Sequence, residues 1–393
     1  MKTILYVNHT SVVGGASYAM LRVIKEVDRS LYKPIVLLKQ NGPLYDEIKS
    51  LGIEVYTLPS MTAVPYNISL LKYKSLKTWY NISTGIKDFE KWLDNHSIDI
   101  IYINSMMLYP YLAPAKKKGI KTIIHIREHW PENENRMQLG WAKKAIISNA
   151  DSIIAINKYS ASMFAEAEGK VSVVYDWIDF TDRYEPHPLK AIFGENCDRY
   201  KVFLYTGGMQ KIKGTYEIVE TFSKHIKGDD YRLLIVGCSK QKEVRGIKGK
   251  AKQFLSKIGY KSFEYKVKDL ISQDYRIECI PSVYKIKDII EQAYCVVSYF
   301  TKPHANLILA ESIILKKVVI AAETPESLEY SNNGELALLF PYKDKKAYIE
   351  RLQNVGKEYE RITEILNKKS QIIATLFNKE RNVNIISQIY KKL

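Results

Sequence analysis

The chain has 393 residues, 46% of them hydrophobic and 26% charged, with 59 Lys and Arg against 43 Asp and Glu and a formal net charge of +16. These proportions are those of folded globular chains and exclude a wholly disordered or fibrous protein; the length accommodates two domains, each able to bury its own core. No run approaches the roughly 18 consecutive apolar residues of a membrane span, and the apolar start is too short for a secretory leader.

Segment 3–7 (Thr-Ile-Leu-Tyr-Val) reads as a buried strand. Gly14-Gly15 and then Tyr18, Met20, Leu21, Ile24 and Val27 at helical spacing follow, so the chain opens as strand, glycine-bearing loop, helix. The unit recurs with a strand at 34–38, a helix over 44–51 closed by Gly52, a strand at 53–58, and β-branched runs at 98–103, 121–126, 152–156 and 170–175. This alternation predicts a mostly parallel sheet with helices on both faces. A polar stretch after Asp179, with Pro186, Pro188, Gly194 and Asn196, reads as a linker. The pattern then restarts with a strand at 202–205, a glycine turn, a helix over 214–226, and strands at 231–236, 275–280, 293–299, 317–322 and 336–340. Segment 346–393 has amphipathic helical spacing. Two α/β domains in tandem follow, expected at 1–190 and 191–372, with 373–393 as a helical tail.

Cys197, Cys238, Cys279 and Cys295 lie far apart without C-x-x-C spacing. That predicts four reduced, mostly buried thiols, and neither a zinc site nor a disulfide framework.

Open parallel sheets bind ligands beyond the carboxyl ends of their strands, and two facing domains would form a cleft there. Gly14-Gly15 lies between a first strand and a first helix, where a backbone can approach a phosphate; a plain turn is the alternative. Thr206-Gly207-Gly208 repeats the arrangement and leads through Lys211 and Lys213 to Gly214. A lysine at a helix entrance supplies a point charge for an oxyanion, unless it is simply solvated. In the segment from Tyr299 through Lys302, Pro303, His304 and Asn306 to Glu311, a strand ends in a polar loop and a helix follows, with Glu311 expected about two turns inside it. A carboxylate there could bind paired ribose hydroxyls, or merely face solvent. His125, Arg127, Glu128 and His129 follow a strand and are expected to reach the cleft. His-x-x-x-His lacks a third ligand, so no metal site is expected.

Together these segments resemble the retaining family-4 glycosyltransferases of the GT-B fold, in the right order over nearly the whole chain. The resemblance rests on the Gly14-Gly15 loop, the segment from Asn41 to Ile53, His125-Ile-Arg-Glu-His129, Tyr175-Asp-Trp-Ile-Asp179, Lys213-Gly214 and the Glu311 helix. It implies two facing Rossmann-like domains with the C-terminal helix packed back on the first. It also implies transfer of a sugar, a hexose foremost, from a UDP- or GDP-linked donor with retained anomeric configuration and no required metal or cofactor. Lys213 would neutralise the donor diphosphate, Glu311 would take the ribose hydroxyls, and backbone amides near Asn306, Leu307 and Gly15 would cradle phosphate oxygens. His129 or His125 would contact the transferred sugar or the acceptor.

Two departures stand out. The family's Glu-x7-Glu motif has Pro303 at its first position, and the arginine that usually precedes the lysine is Gly208. Lys302 or Lys211 would then supply the missing cation, and His304 the lost carboxylate's polar contact. The alternatives are a GT-B sugar-nucleotide epimerase and a non-catalytic sugar-nucleotide or membrane-binding scaffold.

Lysines cluster at 116–118, 143–144 and 240–268, and between 66 and 92 basic residues interleave with bulky apolar ones. A basic, aromatic, amphipathic surface suits an anionic bilayer, and hence a lipid-linked saccharide acceptor. The expected setting is cytoplasmic, peripheral on the inner face of the plasma membrane, in surface polysaccharide, lipopolysaccharide or capsule synthesis. No zinc-finger, RNP-type or recognition-helix pattern points to nucleic acid.

Overall fold

A computed structural model describes the whole chain except residues 13, 66–72, 131–135, 181–187, 239–261, 284–285 and 303–304. The linker residue Pro186 and most of the lysine-rich stretch 240–268 therefore lie outside the described residues. Two compact units emerge, Met1–Trp177 with Asn378–Leu393, and Ile178–Phe377.

The first unit is built on a seven-stranded parallel sheet in the order β3-β2-β1-β4-β5-β6-β7. Its strands are β1 (Lys2–Asn8), β2 (Tyr32–Leu38), β3 (Glu54–Thr57), β4 (Ile100–Ile103), β5 (Lys121–Ile126), β6 (Ser152–Ala155) and β7 (Val171–Val173). Alternate residues of a strand point to opposite faces. Accordingly Ile4 and Tyr6 of β1 join one core, and Leu5 and Val7 the other. The first core is covered by helices Gly15–Lys25 and Pro43–Ser50 through Met20, Leu21, Ile24, Leu44 and Ile48. The second is covered by helices Tyr73–Asp94, Leu112–Lys117 and Arg136–Asn149 through Phe89, Leu93, Leu112, Leu139 and Ile146.

The second unit repeats the plan in six parallel strands ordered β10-β9-β8-β11-β12-β13. These are β8 (Lys201–Tyr205), β9 (Tyr231–Val236), β10 (Ile277–Ile280), β11 (Cys295–Ser298), β12 (Val319–Ala322) and β13 (Leu338–Phe340). In both sheets the first three strands run outward on one side and the fourth returns to the other side of the first. The order thus reverses between β1 and β4, and again between β8 and β11. Two Rossmann-like sheets were legible in the alternation of β-branched runs and glycine turns, and both are present.

The chain leaves the second unit after helix Gln371–Leu376 and returns to the first as helix Lys379–Lys392. The Asn378 side chain accepts from Arg381 N at 2.8 Å and opens that helix. Asn382 then accepts from Tyr175 N at 2.9 Å. The hydroxyls of Tyr390 and Tyr6 meet at 2.8 Å, with Ile386 and Ile389 in the same core.

The cysteine expectation is corrected in part. Cys238 follows β9 and Cys279 lies in β10, its parallel neighbour, and the two form a disulfide with Cα atoms 5.9 Å apart, within the span a disulfide bridges. Sheet register joins them, and sequence spacing does not report register. Cys295 is a buried free thiol in β11, whereas Cys197 is free and half-exposed. Among the described residues no helix is long and apolar enough to cross a membrane.

Ile386 is 4% exposed and packs among side chains from β1, β2 and the helix Gly15–Lys25. Ile386→Ala is expected to cost about 2–4 kcal/mol, read as a lowered midpoint in urea titration.

Candidate active site

The reversal in strand order fixes where loops can part to admit a ligand. In the first unit those loops follow β1 and β4. Helix Gly15–Lys25 starts immediately after Gly14, whose backbone is extended. A Cβ added to either glycine would meet nothing within 4 Å. Neither backbone strain nor a neighbouring atom therefore demands glycine at Gly14 or Gly15, and both are exposed.

Below this loop a buried polar chain spans three strand ends. Asn8 ends β1, Asn104 follows β4 and Arg127 follows β5. The Asn104 amide donates to Asn8 Oδ1 at 3.3 Å and to the Ala16 carbonyl at 3.0 Å, in the first turn of the helix. Arg127 Nε donates to Asn104 Oδ1 at 3.0 Å, and its Nη1 pairs with Asp176. Arg127 is 5% exposed, and a guanidinium so placed requires this carboxylate partner. Glu128 accepts from Ser105 Oγ at 2.6 Å and Met106 N at 3.0 Å, holding the start of the 3-10 turn Met106–Tyr111. Burial raises the Glu128 pKa.

The two histidines differ in placement. His125 lies inside β5 rather than beyond it, is 1% exposed, and shares a 2.5 Å hydrogen bond between its Nδ1 and the Tyr102 hydroxyl. His125 thus belongs to the strand expected at 121–126 and does not follow it, and the alternation of β5 turns it onto the core face with Tyr102. His129 does lie past the strand end, half-buried and stacked on Tyr159 with ring centroids 3.7 Å apart. Its Nδ1 is buried without a hydrogen-bond partner, and burial lowers its pKa to about 4.

In the second unit the loops follow β8 and β11. The chain passes Gly207 and Gly208, makes a 3-10 turn over Lys211–Lys213, and enters helix Thr215–His225 through Gly214. Here the glycines are required by the chain itself. Gly208 has φ +59°, and a Cβ there would sit 2.6 Å from the Gly237 carbonyl oxygen; Gly214 has φ +74°, and a Cβ there would sit 1.9 Å from the Tyr299 carbonyl oxygen. The absent arginine thus has a local cause, since the backbone against Gly237 leaves no room for a side chain at position 208.

Thr215, which is fully buried, braces this loop: its hydroxyl donates to the Gly208 carbonyl at 2.8 Å and accepts from Gln210 N at 3.0 Å. The Tyr205 hydroxyl donates to the Lys213 carbonyl at 3.1 Å. Thr301 N reaches across from the loop after β11 to the Ile212 carbonyl at 2.9 Å, so the two switch-point loops are stitched together. Lys213 is half-buried and its pKa is lowered by desolvation, whereas Lys211 is exposed. Asn306 precedes helix Leu307–Ile314; its amide donates to Ser298 Oγ at 3.1 Å, while its Oδ1 is buried without a partner. Glu311 is the fifth residue of that helix and half-buried, one turn from the start rather than two. Lys302 is half-buried in the same loop, and Pro303 and His304 lie outside the described residues. The structure thus brings Lys211, Lys213, Lys302, Asn306, Leu307 and Glu311 onto two adjoining loops and the helix that follows. Among the described residues no group of three or more His, Cys, Asp or Glu side chains is placed to hold a metal ion.

Sequence reading missed the braces, Thr215 and Tyr205, and the Asn8–Asn104–Arg127–Asp176 chain. The available signals were a hydroxyl residue directly after Gly214 and polar residues ending β-branched strands.

The contrast between the glycines is testable. Gly214→Ala is expected to lower stability by about 2 kcal/mol or more through a forced positive φ and a clash, whereas Gly15→Ala leaves the melting temperature unchanged or slightly higher; thermal melts decide. A second outcome concerns pH. Native His129 stays neutral down to about pH 4, whereas the unfolded chain gains that proton near the ordinary value of about 6.5. Stability therefore falls as pH drops through this window, and His129→Gln is expected to flatten part of the slope in melting temperature between pH 7 and pH 5.

Residues 13–182 match the sequence profile described as Glycosyltransferase Family 4. No curated protein sequence matches the chain. Solved structures similar to it include HepE of Anabaena in complex with UDP and glucose, with a TM-score of 0.76 at 15% identity over 100% of both chains. A glycosyltransferase from Rickettsia africae aligns with a TM-score of 0.70 at 17% identity over 100% of this chain and 98% of that one. Sucrose-phosphate synthase from Thermosynechococcus elongatus gives 0.71 at 15% identity, over 100% and 99%. At such identities the likeness carries the fold, and the profile match concerns residues 13–182. Residues 13–182 thus carry the match to Glycosyltransferase Family 4, and the chain has the GT-B fold of these solved glycosyltransferase structures.

Proposed function

We propose that the protein transfers a hexose from a nucleotide-sugar donor, UDP- or GDP-linked, to a saccharide or lipid-linked saccharide acceptor with retained anomeric configuration. The observation that carries this reading is the pair of stitched loops at the second unit's switch point, where Lys213 is half-buried in one loop and the other leads on to the Leu307–Ile314 helix. A desolvated cation and an N-terminal helix turn are both suited to a diphosphate leaving group, whose charge grows as the glycosidic bond breaks. In this reading Lys213 holds the diphosphate without a metal, and amides at Asn306, Leu307 and Gly15 take phosphate oxygens. Glu311 takes the ribose hydroxyls, and Lys211 and Lys302 add positive charge. His129 meets the sugar or acceptor, and His125, shut in the core, acts only by supporting the strand end. UDP or UDP-glucose accompanies HepE in its solved structures, and another similar structure is the lipopolysaccharide outer core galactosyltransferase WaaB. By analogy we place this protein in the cytoplasm at an anionic membrane surface, building surface polysaccharide, lipopolysaccharide or capsule.

A second reading is a donor-binding scaffold without turnover, favoured by the loss of the family's arginine at Gly208. Release of nucleoside diphosphate that depends on an added acceptor separates the two. Donor binding without release across an acceptor panel would leave the scaffold.

Lys213→Ala is expected to weaken UDP or GDP binding about 10- to 100-fold, equivalent to about 1.4–2.8 kcal/mol, in titration calorimetry. Because burial holds the Lys213 pKa below its usual value, an arriving diphosphate raises it. Binding at alkaline pH should therefore take up protons in the wild type and lose that uptake in the variant. Glu311→Gln should weaken nucleoside diphosphates more than inorganic pyrophosphate, since only the former carries a ribose.

A further inference from the structure

At the carboxyl end of β9 the chain touches both neighbouring strand ends. Val236 closes the strand, and Gly237, at φ +106°, turns the backbone into Cys238. On one side this turn meets the loop after β8. Gly208 N donates to the Val236 carbonyl at 3.0 Å, and a Cβ on Gly237 would lie 3.0 Å from the Gly208 Cα, so the two backbones are in contact. On the other side the turn meets β10, the edge strand of the sheet. There Gly237 N and Cys238 N donate to the same acceptor, the Ile280 carbonyl, at 3.0 and 2.9 Å. The sulfur of Cys238 is bonded to that of Cys279, the residue before Ile280.

Backbone hydrogen bonds at the end of an edge strand open more readily than those inside a sheet, whereas the disulfide ties the turn to β10 covalently. From Gly237 the constraint passes to Gly208, and from the Gly208 carbonyl to the Thr215 hydroxyl at 2.8 Å. Thr215 begins the helix that Lys211, Lys213 and Gly214 lead into. An unbroken series of contacts therefore runs from the sulfur pair to the lysine-bearing loop. Cys238 and Cys279 are both half-exposed, so a dissolved thiol can reach their bond, and exposed disulfides are the exchangeable ones.

We infer that Cys238 and Cys279 form a redox switch on this loop: the disulfide holds Gly237 against Gly208 and keeps the loop in its binding form, and reduction releases it. The reductant is a dithiol, or two molecules of a monothiol. One thiolate attacks a sulfur of the pair and displaces the other as a thiolate, which takes up a proton. A second reductant thiolate then attacks the mixed disulfide, frees the remaining protein thiol in the same way, and leaves as the reductant's own disulfide. Two electrons pass to the protein, and a low-molecular-weight disulfide reverses the exchange. The consequence for nucleotide rests on the reading that the Lys213 loop takes the donor diphosphate, since a loop already ordered binds more tightly than one that must be ordered on binding.

The test compares the full chain equilibrated with glutathione disulfide and with excess dithiothreitol. Peptide mass spectrometry should find Cys238 and Cys279 joined in the first and open to alkylation in the second. Hydrogen exchange across 205–213 is expected to quicken about tenfold or more on reduction, with strand β12 unchanged, and the dissociation constant of UDP or GDP to rise about three- to tenfold. Cys238→Ser should behave as the reduced protein in both buffers, whereas Cys197→Ser, which removes a free thiol, should respond as the wild type does. Cysteines 238 and 279 left unjoined after oxidation overturn the inference, as does exchange across 205–213 that is the same in both states, or nucleotide bound equally by both. If neither nucleotide binds in either state, the donor reading falls, and hydrogen exchange still decides the switch.

Discussion

A parallel sheet can be wound outward on one side and then on the other only if the order of its strands reverses once. At that reversal the loops leaving two adjacent strands go to opposite faces, which leaves their carboxyl ends uncovered. Both sheets of this protein obey that constraint, between β1 and β4 and between β8 and β11. The rest of the architecture serves these two openings. The cores under each sheet hold the strand ends in register, and the polar groups that cannot be buried alone are gathered where the strands stop. In the first unit they form one hydrogen-bonded chain from Asn8 through Asn104 to Arg127 and Asp176.

The units solve the same geometric problem with different economies of glycine. In the second, Gly208, Gly214 and Gly237 let three backbone segments press together, and Thr215 braces the first of them with one hydroxyl. The loop is thereby held by the protein's own contacts, as a site that stabilises developing charge needs to be. In the first unit, Gly14 and Gly15 satisfy no internal need. Space kept open beside a helix N-terminus is space a ligand atom can use.

Strands with continuous β-branched residues, and helices whose apolar residues recur every three or four positions, were readable because each depends on local pattern alone. The glycine loops and the Glu311 helix were readable for the same reason. What escaped depends on neighbours distant in sequence. Gly208 is explained by Gly237, through the pairing of β8 with β9. The Cys238–Cys279 bond follows from β9 beside β10. His125 belongs to the β-branched run 121–126, and what that pattern alone does not report is its burial against Tyr102 of the neighbouring strand. Thr215 and Asn104 looked like ordinary polar residues, since burial, which gives each its role, is a property of the packed sheet.

The first core is completed by Ile386, Ile389 and Tyr390, from a helix that is separated from the rest of its unit by the entire second sheet. During synthesis on a ribosome, strands β1 to β7 emerge long before that helix does. The second unit is contiguous and can close as soon as its own residues are free. The first must wait with an apolar face open until helix Lys379–Lys392 arrives. Order of synthesis and order of completion are therefore inverted: the half made first is finished last.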